Sequence, residues 1–338
     1  MQYELRYQVI EPKRHTYQNV IDRLGDQPAS RYLEGTLDVQ PKENFHYRPT
    51  WIQDRELYDA RYSALVLTDP YSFLDPRQYY YTPYVTNRAA HHEEFGKTLG
   101  YLEKRDLLAK MPDPWRAVLG SVIVPLRHFE SGAQLITVNG ARFAHGTSLS
   151  QCCTYAAFDR IGNAQQLSRI GIALGGGTGE LLAVAKTEWM EGEHLQPLRK
   201  LVEHVMLEQD WAEGVLAVDL IDSLLYPVLY SGLDDAALLG GAGAYSLVGQ
   251  HFTSWFGDQR KWLDAAVTAW VADADNGATN ARHLRRITET WLPQALEAVT
   301  ALTDAIDGEL PEANSSVAVT AAAAVVTARL EKALGATA

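Results

Sequence analysis

The spacing of apolar residues beyond residue 112 constrains the fold more than any other feature of the chain. Apolar side chains recur there every three to four residues, which is the periodicity of one face of an α-helix. Five long stretches show it: residues 115–134, 147–174, 198–232, 246–274 and 281–306. Glycine-rich joints lie between stretches, at 174–179 and 238–244. The sequence therefore predicts an all-α bundle.

The two ends of the chain differ from this helical middle. Residues 1–90 are rich in Pro, Tyr and Arg and contain only short periodic pieces. A free segment of that length is uncommon, so we expect an extended N-terminal arm that lies over another surface. The alanine-rich residues 308–338 predict a C-terminal tail helix. The bundle itself is then expected over residues 91–307.

Charge and hydropathy exclude several classes of function. The 338 residues carry a formal net charge of −12, which opposes binding to a phosphate backbone unless a basic patch is present. The densest basic cluster, at 281–291, fits a solvated or inter-subunit helix face. We expect no nucleic-acid partner. Since no stretch has the apolar length of a membrane span or a signal peptide, we expect a cytoplasmic protein without a membrane partner.

One helical stretch is unusually polar. Residues 157–171 read AFDRIGNAQQLSRIG and place five polar residues within about two turns of a bundle helix: Asp159, Arg160, Asn163, Gln165 and Gln166. Such a face is most often solvated. It could instead line the interior, where buried polar groups must satisfy one another.

Six segments of the chain carry a family resemblance. They are TYQNVIDRLGDQPASRYLEGT (16–36), NFHYRPTW (44–51), DPRQYYYTPYVTNRA (75–89), LEKRDLL (102–108), DRIGNAQQLSRIG (159–171) and LLYPVLY (224–230). In these segments, and in their order, the chain resembles the β subunit of the phenol hydroxylase-type hydroxylases, within the bacterial multicomponent soluble di-iron monooxygenases. The resemblance covers most of the chain, and the tail beyond Gly308 lies outside it.

The resemblance implies a ferritin-like bundle and a place in an enzyme complex. In that family the hydroxylase is an (αβγ)2 assembly in which the α subunit carries the di-iron centre. The β subunit has the related helical fold without metal, buttresses α and helps to form the dimer. A regulatory protein and an NADH reductase with FAD and a 2Fe-2S cluster complete the system. Phenol or methylphenols are the expected substrates, while toluene, alkenes and cyclic ethers stay open.

The resemblance also indicates where metal ligands would stand. Di-iron bundles take a lone Glu from each of two helices and a Glu-x-x-His pair from each of two others, because residues three apart share one helix face. The corresponding positions in this chain are Glu130, Arg160, Asn163, Leu225, Gln259 and Trp262. Arg and Asn are poor iron ligands, so no metal, cofactor or catalytic residue is expected in this chain. We predict instead that Arg160 faces Glu130 inside the bundle and neutralises it.

The arm supplies the expected subunit contacts. Its tyrosines and arginines offer the broad amphipathic surface that is favoured at protein interfaces. The interface candidates are Arg77, Tyr79, Tyr80, Tyr81, Tyr84 and Arg88. For any one tyrosine, packing in the chain's own core is an equal alternative.

Two other functions stay open from the sequence. A catalytic di-iron chain would need true Glu-x-x-His pairs, and Glu191 with His194 is one. Gly192 lies inside that pair and Pro197 follows it, which suggests a helix start rather than a core helix. The other pair, Glu43 with His46, falls in the arm. The second alternative is a helical scaffold protein unrelated to oxygenases.

Overall fold

The computed structural model describes residues 14–40 and 52–335. Within them the chain forms α-helices and short 3-10 and π-type turns, with one isolated β-bridge between His15 and Pro28. The helices are α1 Gln18–Leu24, α2 Arg31–Thr36, α3 Tyr81–Glu103, α4 Asp113–Val118, α5 Leu126–Phe143, α6 Thr147–Leu174, α7 Glu180–Glu191, α8 Gln196–Val205, α9 Trp211–Tyr226, α10 Asp234–Leu239, α11 Gly243–Val271, α12 Gly277–Glu309 and α13 Ser315–Gly335. The predicted all-α class is confirmed for the described residues.

Helix α9 is the centre of the bundle. All of its 16 residues are buried, as expected for a helix that is apolar around its whole circumference. Helices α5, α11, α12 and α13 pack against it. Two carboxylates, Asp219 and Asp222, nevertheless lie on this buried helix, and each therefore needs a partner inside the protein.

Helices α5 and α6 form the most extensive helix pair of the bundle. The loop between them is residues 144–146, and so short a connection makes the two helices antiparallel neighbours. Gly146 has φ +113°, a conformation that favours glycine, and a side chain there would collide with the backbone oxygen of Pro70. Helix α11 contacts both α6 and α9. Helices α5, α6, α9 and α11 thus enclose the interior in which the predicted ligand positions lie.

Two predicted helices are divided in the structure. The stretch 115–134 spans α4, a π-type turn and the first half of α5. The stretch 198–232 was expected to be continuous, but α8 ends at Val205 and α9 begins at Trp211. The Asp210 carboxylate caps α9 by accepting from the backbone N–H groups of Ala212 and Glu213, an arrangement that starts a helix. Because the apolar periodicity continues across residues 206–210, the sequence pattern does not reveal the break.

The described part of the arm packs on the chain's own bundle. Helix α3 begins at Tyr81, so the predicted boundary at residue 90 falls inside a helix. The Gln40 side chain donates to Ala144 and accepts from the Gly146 N–H. The buried Asn280 side chain pairs with both backbone groups of Val66. These contacts join the arm to the α5–α6 loop and to α12.

The alanine-rich C-terminal segment also belongs to the packed structure. Helix α13 contacts α9, α11 and α12 and buries Val319, Ala322 and Val326. Arg329 donates to Ser223 and Asp219 of α9. Among the described helices, α13 included, none is both long and apolar enough to cross a membrane.

Candidate functional site

A buried ionic cluster occupies the space between α5, α6 and α9. Arg160 of α6 donates from Nη1 to Glu130 Oε2 of α5 at 3.1 Å and to Asp222 Oδ1 of α9 at 3.0 Å. Its Nη2 donates to the other oxygen of Asp222. The predicted contact between Glu130 and Arg160 is confirmed. Asp222, which the sequence reasoning missed, is the partner that engages both terminal nitrogens of the guanidinium.

Two further side chains complete the cluster. The Tyr226 hydroxyl donates to Glu130 Oε1 at 2.5 Å and accepts from Asn163 Nδ2 at 3.1 Å. Trp255 of α11 places its ring under the Arg160 guanidinium, 4.8 Å from Cζ to the ring centroid, within cation–π distance. All of these side chains, Trp255 included, are buried. The central cluster is therefore Glu130, Arg160, Asn163, Asp222 and Tyr226, closed on one side by Trp255.

Burial controls the ionisation of the central cluster. Burial opposes the charge on Arg160, but the Asp222 and Glu130 carboxylates outweigh it and raise its pKa. Burial raises the pKa of Asp222 to about 6, against the pull of Arg160. Burial and the Glu130 carboxylate hold the pKa of Tyr226 well above its usual value, so its hydroxyl stays a donor. One fixed cation thus faces two carboxylates, and burial makes Asp222 easier to protonate than an ordinary aspartate.

The residues of the central cluster do not fit a di-iron centre. Metal ligation would need carboxylate and imidazole side chains converging on one point. Here a permanently charged guanidinium lies between the two carboxylates, and the Asn163 amide donates to a tyrosine. Across residues 14–40 and 52–335, no group of three His, Cys, Asp or Glu side chains is arranged to hold a metal ion. In this arrangement Arg160 neutralises the buried carboxylates and connects α5, α6 and α9.

The remaining predicted ligand positions lie in the core but not in this cluster. Leu225 is an apolar core residue, and the side chain that its helix presents to Arg160 is Asp222, three residues earlier. Gln259 and Trp262 of α11 are buried, and Gln259 Oε1 and Trp262 Nε1 have no hydrogen-bond partner in the described structure. The contribution of α11 to the cluster is Trp255. On α9 and α11, the residues that contact Arg160 thus lie about one helical turn before the positions that the spacing indicates.

A second buried cluster surrounds Asp159 on the other side of Trp255. The Asp159 carboxylate accepts from Tyr84 Oη at 2.8 Å, from two nitrogens of Arg88 at 2.8 Å and from Trp255 Nε1 at 3.0 Å. Arg88 also donates to Asp258 of α11 at 2.7 Å. Trp255 thus bridges the two clusters, because its ring contacts Arg160 while its N–H binds Asp159.

This second cluster changes the interpretation of the arm. Tyr79, Tyr84 and Arg88 are buried within this chain, and the Arg77 side chain is only 3% exposed beside Asp75. These four side chains pack inside this chain, where buried carboxylates neutralise the two arginines, and they leave little surface for a partner. Tyr80 is half-buried. Tyr81 is 69% exposed and keeps the accessible surface that an interface residue requires.

The Glu191–His194 pair lies at a helix junction. Helix α7 ends at Glu191, and His194 stands in the short 3-10 turn that follows Gly192. The His194 ring is hydrogen-bonded to the backbone oxygen of Ser121 at 3.0 Å. Glu191 and His194 therefore do not share one face of a core helix, as a pair of di-iron ligands would. The second pair, Glu43 and His46, lies outside the described residues.

Comparison with known proteins identifies the family. Residues 51–274 match the family described as Methane/Phenol/Alkene Hydroxylase. The chain belongs to this family.

Individual members of the hydroxylase family resemble nearly the whole chain. The oxygenase component DmpL of phenol 2-monooxygenase from Pseudomonas sp. (strain CF600) is 37% identical over 91% of this chain and 92% of its own length. The hydroxylase component small subunit of propane 2-monooxygenase from Mycolicibacterium goodii is 21% identical, covering 81% and 77% of the two chains. A crystal structure of xenon-pressurized phenol hydroxylase from Pseudomonas sp. OX1 superposes with a TM-score of 0.87, at 36% identity and 98% coverage of both chains. The predicted ferritin-like bundle is confirmed.

Proposed function

We propose that this chain is the non-catalytic β subunit of the hydroxylase component of a phenol hydroxylase-type monooxygenase. Its family membership and the similarity to phenol 2-monooxygenase oxygenase components support a role in a multicomponent monooxygenase. The finer assignment, β rather than the catalytic α subunit, rests on the chemistry of the buried cluster.

The single observation that carries this assignment is the position of Arg160. A catalytic hydroxylase subunit must hold its irons among helix-borne carboxylates and imidazoles. In this chain the guanidinium of Arg160 lies between Glu130 and Asp222, at 3.1 and 3.0 Å. A cation there neutralises the carboxylates that remain and makes a metal ion electrostatically unfavourable. The relative from propane 2-monooxygenase, which is a small subunit of the hydroxylase component, supports the same assignment.

The rest of the system is proposed by analogy with the family. The di-iron centre belongs to a partner α subunit, and a γ subunit completes an (αβγ)2 hydroxylase. FAD and a 2Fe-2S cluster belong to a partner NADH reductase, and a small regulatory protein completes the enzyme. Phenol or a related aromatic is the proposed substrate. This chain supplies a rigid helical surface that supports α, and the buried ionic clusters fix its helices relative to one another.

Co-expression with the other hydroxylase chains of the same source tests the proposal. An affinity tag on this chain should retain two other chains in stoichiometric amount through size-exclusion chromatography. Omission of this chain should leave the co-expressed partners without hydroxylase activity when reductase, NADH and regulatory protein are supplied. Full activity of the partners without this chain would contradict the β assignment. An isolated chain that hydroxylates phenol with reductase alone would contradict it as well.

A further inference from the structure

A second internal space lies away from the clusters already described. It is a cavity of about 450 Å³ bounded by α9, α11, α12 and the C-terminal α13. Its size falls in the range of small-molecule sites, roughly 300–1,000 Å³. Most of its wall is aliphatic, with leucine, isoleucine and valine side chains from α9, α11 and α12 and with Leu330 and Ala333 from α13.

One side of the cavity is ionic. Arg260 of α11 donates to Asp219 of α9 and to Asp264 of its own helix. Arg329 of α13 donates to the other oxygen of Asp219 at 3.3 Å. Lys332, one turn further along α13, also lines the cavity. Three cationic groups therefore surround two carboxylates on this wall.

The guanidinium of Arg260 lacks one acceptor. Its two terminal nitrogens bind Asp219 and Asp264, but its Nε is buried and has no hydrogen-bond partner among the described residues. A buried donor without an acceptor is costly. Burial and the nearby Arg329 guanidinium lower the pKa of Arg260 to about 10. A further anion at this wall would offset the excess of positive charge.

We propose that this cavity binds a medium-chain alkyl carboxylate, with its carboxylate against Arg260 and Lys332 and its chain along the aliphatic wall. The charge of the wall favours an anionic head over a neutral one. None of the described residues that line the cavity is aromatic. An aromatic ring would therefore find no stacking partner there, whereas an alkyl chain matches the wall.

A ligand at this position would attach the C-terminal helix to the bundle. Helix α13 contributes Arg329, Leu330, Lys332 and Ala333 to the cavity, while the facing walls belong to α9, α11 and α12. The ligand would bridge these helices, so its binding energy would add to the stability of the folded chain. This inference goes beyond the proposed function, because it concerns binding by this chain and no hydroxylation.

Decanoate is the probe, titrated into the full-length chain by isothermal calorimetry below its micelle concentration. The expected result is saturation at one equivalent and a rise in the melting temperature of the chain. Ala333→Phe places a ring in the cavity and leaves every ionic side chain of the wall in place, and it should abolish binding. The matched control is Ala324→Phe on the exposed side of the same helix, which should bind as the wild type does.

The head group is tested separately. Arg260→Gln should weaken decanoate binding about tenfold or more, as loss of a charge-assisted contact does. Lys332→Gln, at an exposed residue, tests the same charge if the Arg260 variant does not fold. Decanol should bind about tenfold more weakly than decanoate. Absence of a saturable site, or equal binding by wild type and Ala333→Phe, would overturn the proposal. Equal affinity for decanol and decanoate would overturn the assignment of an anionic head.

Discussion

Arg160 and Asp222 form a two-point ion pair between α6 and α9, and the same guanidinium reaches Glu130 on α5. Three helices of the bundle are therefore connected through one buried cation. Each of these side chains is at most 2% exposed, so solvent screens the interaction little. This arrangement leads to predictions that differ for loss of one partner and for loss of the whole group.

Replacement of Arg160 by Met should lower the free energy of unfolding by about 3–5 kcal/mol, because two buried carboxylates lose their counter-charge. The combined Glu130→Gln, Arg160→Met and Asp222→Asn variant should recover most of that loss. Urea denaturation of the full-length chain measures both. The exposed Arg282→Met is the control and should change stability by less than about 0.5 kcal/mol. Equal destabilisation by the single and triple variants would show that charge compensation is not the cause.

Asp222 predicts a specific pH dependence of stability. Its pKa is raised by burial from 3.8 to about 6, so the folded state holds this proton more tightly than the unfolded state. The stabilising contribution of protonation is complete below pH about 4 and is lost as the pH rises through about 6. The difference in unfolding free energy between the wild type and Asp222→Asn should fall by about 1 kcal/mol for each pH unit between about pH 4 and pH 6. A difference that does not vary with pH would refute the shifted pKa.

The hydrogen bonds of Tyr226 are the uncharged part of the cluster, and substitution of this residue tests their contribution to stability. Its hydroxyl joins Glu130 to Asn163, so Tyr226→Phe leaves a carboxylate oxygen and an amide without this partner and should cost about 1–3 kcal/mol. Chemical denaturation checks the value. Tyr81→Phe removes a hydroxyl from a residue that is 69% exposed and should be nearly neutral. Similar small effects of both substitutions would mean that water replaces the Tyr226 hydroxyl without loss.

Phe158 and Ile161 predict where α6 contributes to assembly. They lie three residues apart on the exposed side of α6 and are 51% and 55% exposed, which is high for large apolar side chains. Under the proposed function, Phe158→Ser with Ile161→Ser should reduce co-purification with the partner hydroxylase chains while the melting temperature of this chain changes little. Leu239→Ser, at a residue that is 91% exposed on α10, is the matched control. Unchanged recovery of the partners would place the interface elsewhere.

Much of the fold followed from the sequence because helix periodicity is a local property. Residues 147–174 and 281–306 each lie within a single helix, and residues 246–274 pass the end of α11 by only three residues. Residues 115–134 and 198–232 are interrupted by turns, and continuing apolar periodicity hid the break at residues 206–210. The Glu130–Arg160 contact was also predicted. Residues 130 and 160 are about equally far from the loop 144–146, so the antiparallel helices α5 and α6 place them side by side. Periodicity alone does not show which of several polar residues faces inward.

The sequence reasoning did not identify Asp222, although the sequence contains a signal for it. The comparison with di-iron spacing pointed to Leu225, three residues away on the same helix. Two aspartates in the stretch AVDLIDSLL, which is otherwise apolar around its circumference, were the available signal, because a buried carboxylate requires a partner. The Asp159 cluster was missed differently. Arg88 and Tyr84 are more than seventy residues away in the chain, and local patterns carry no information on such a contact.

Iron content of the isolated, full-length chain tests the central claim most directly. The chain is loaded anaerobically with ferrous iron, exchanged into metal-free buffer and measured by plasma emission and by absorption after exposure to air. Because Arg160 occupies the space between Glu130 and Asp222, the chain should retain far less than one iron per molecule, and the same treatment of the co-purified hydroxylase should yield stoichiometric iron. Stoichiometric iron with an oxo-bridge absorption band in the isolated chain would contradict the account.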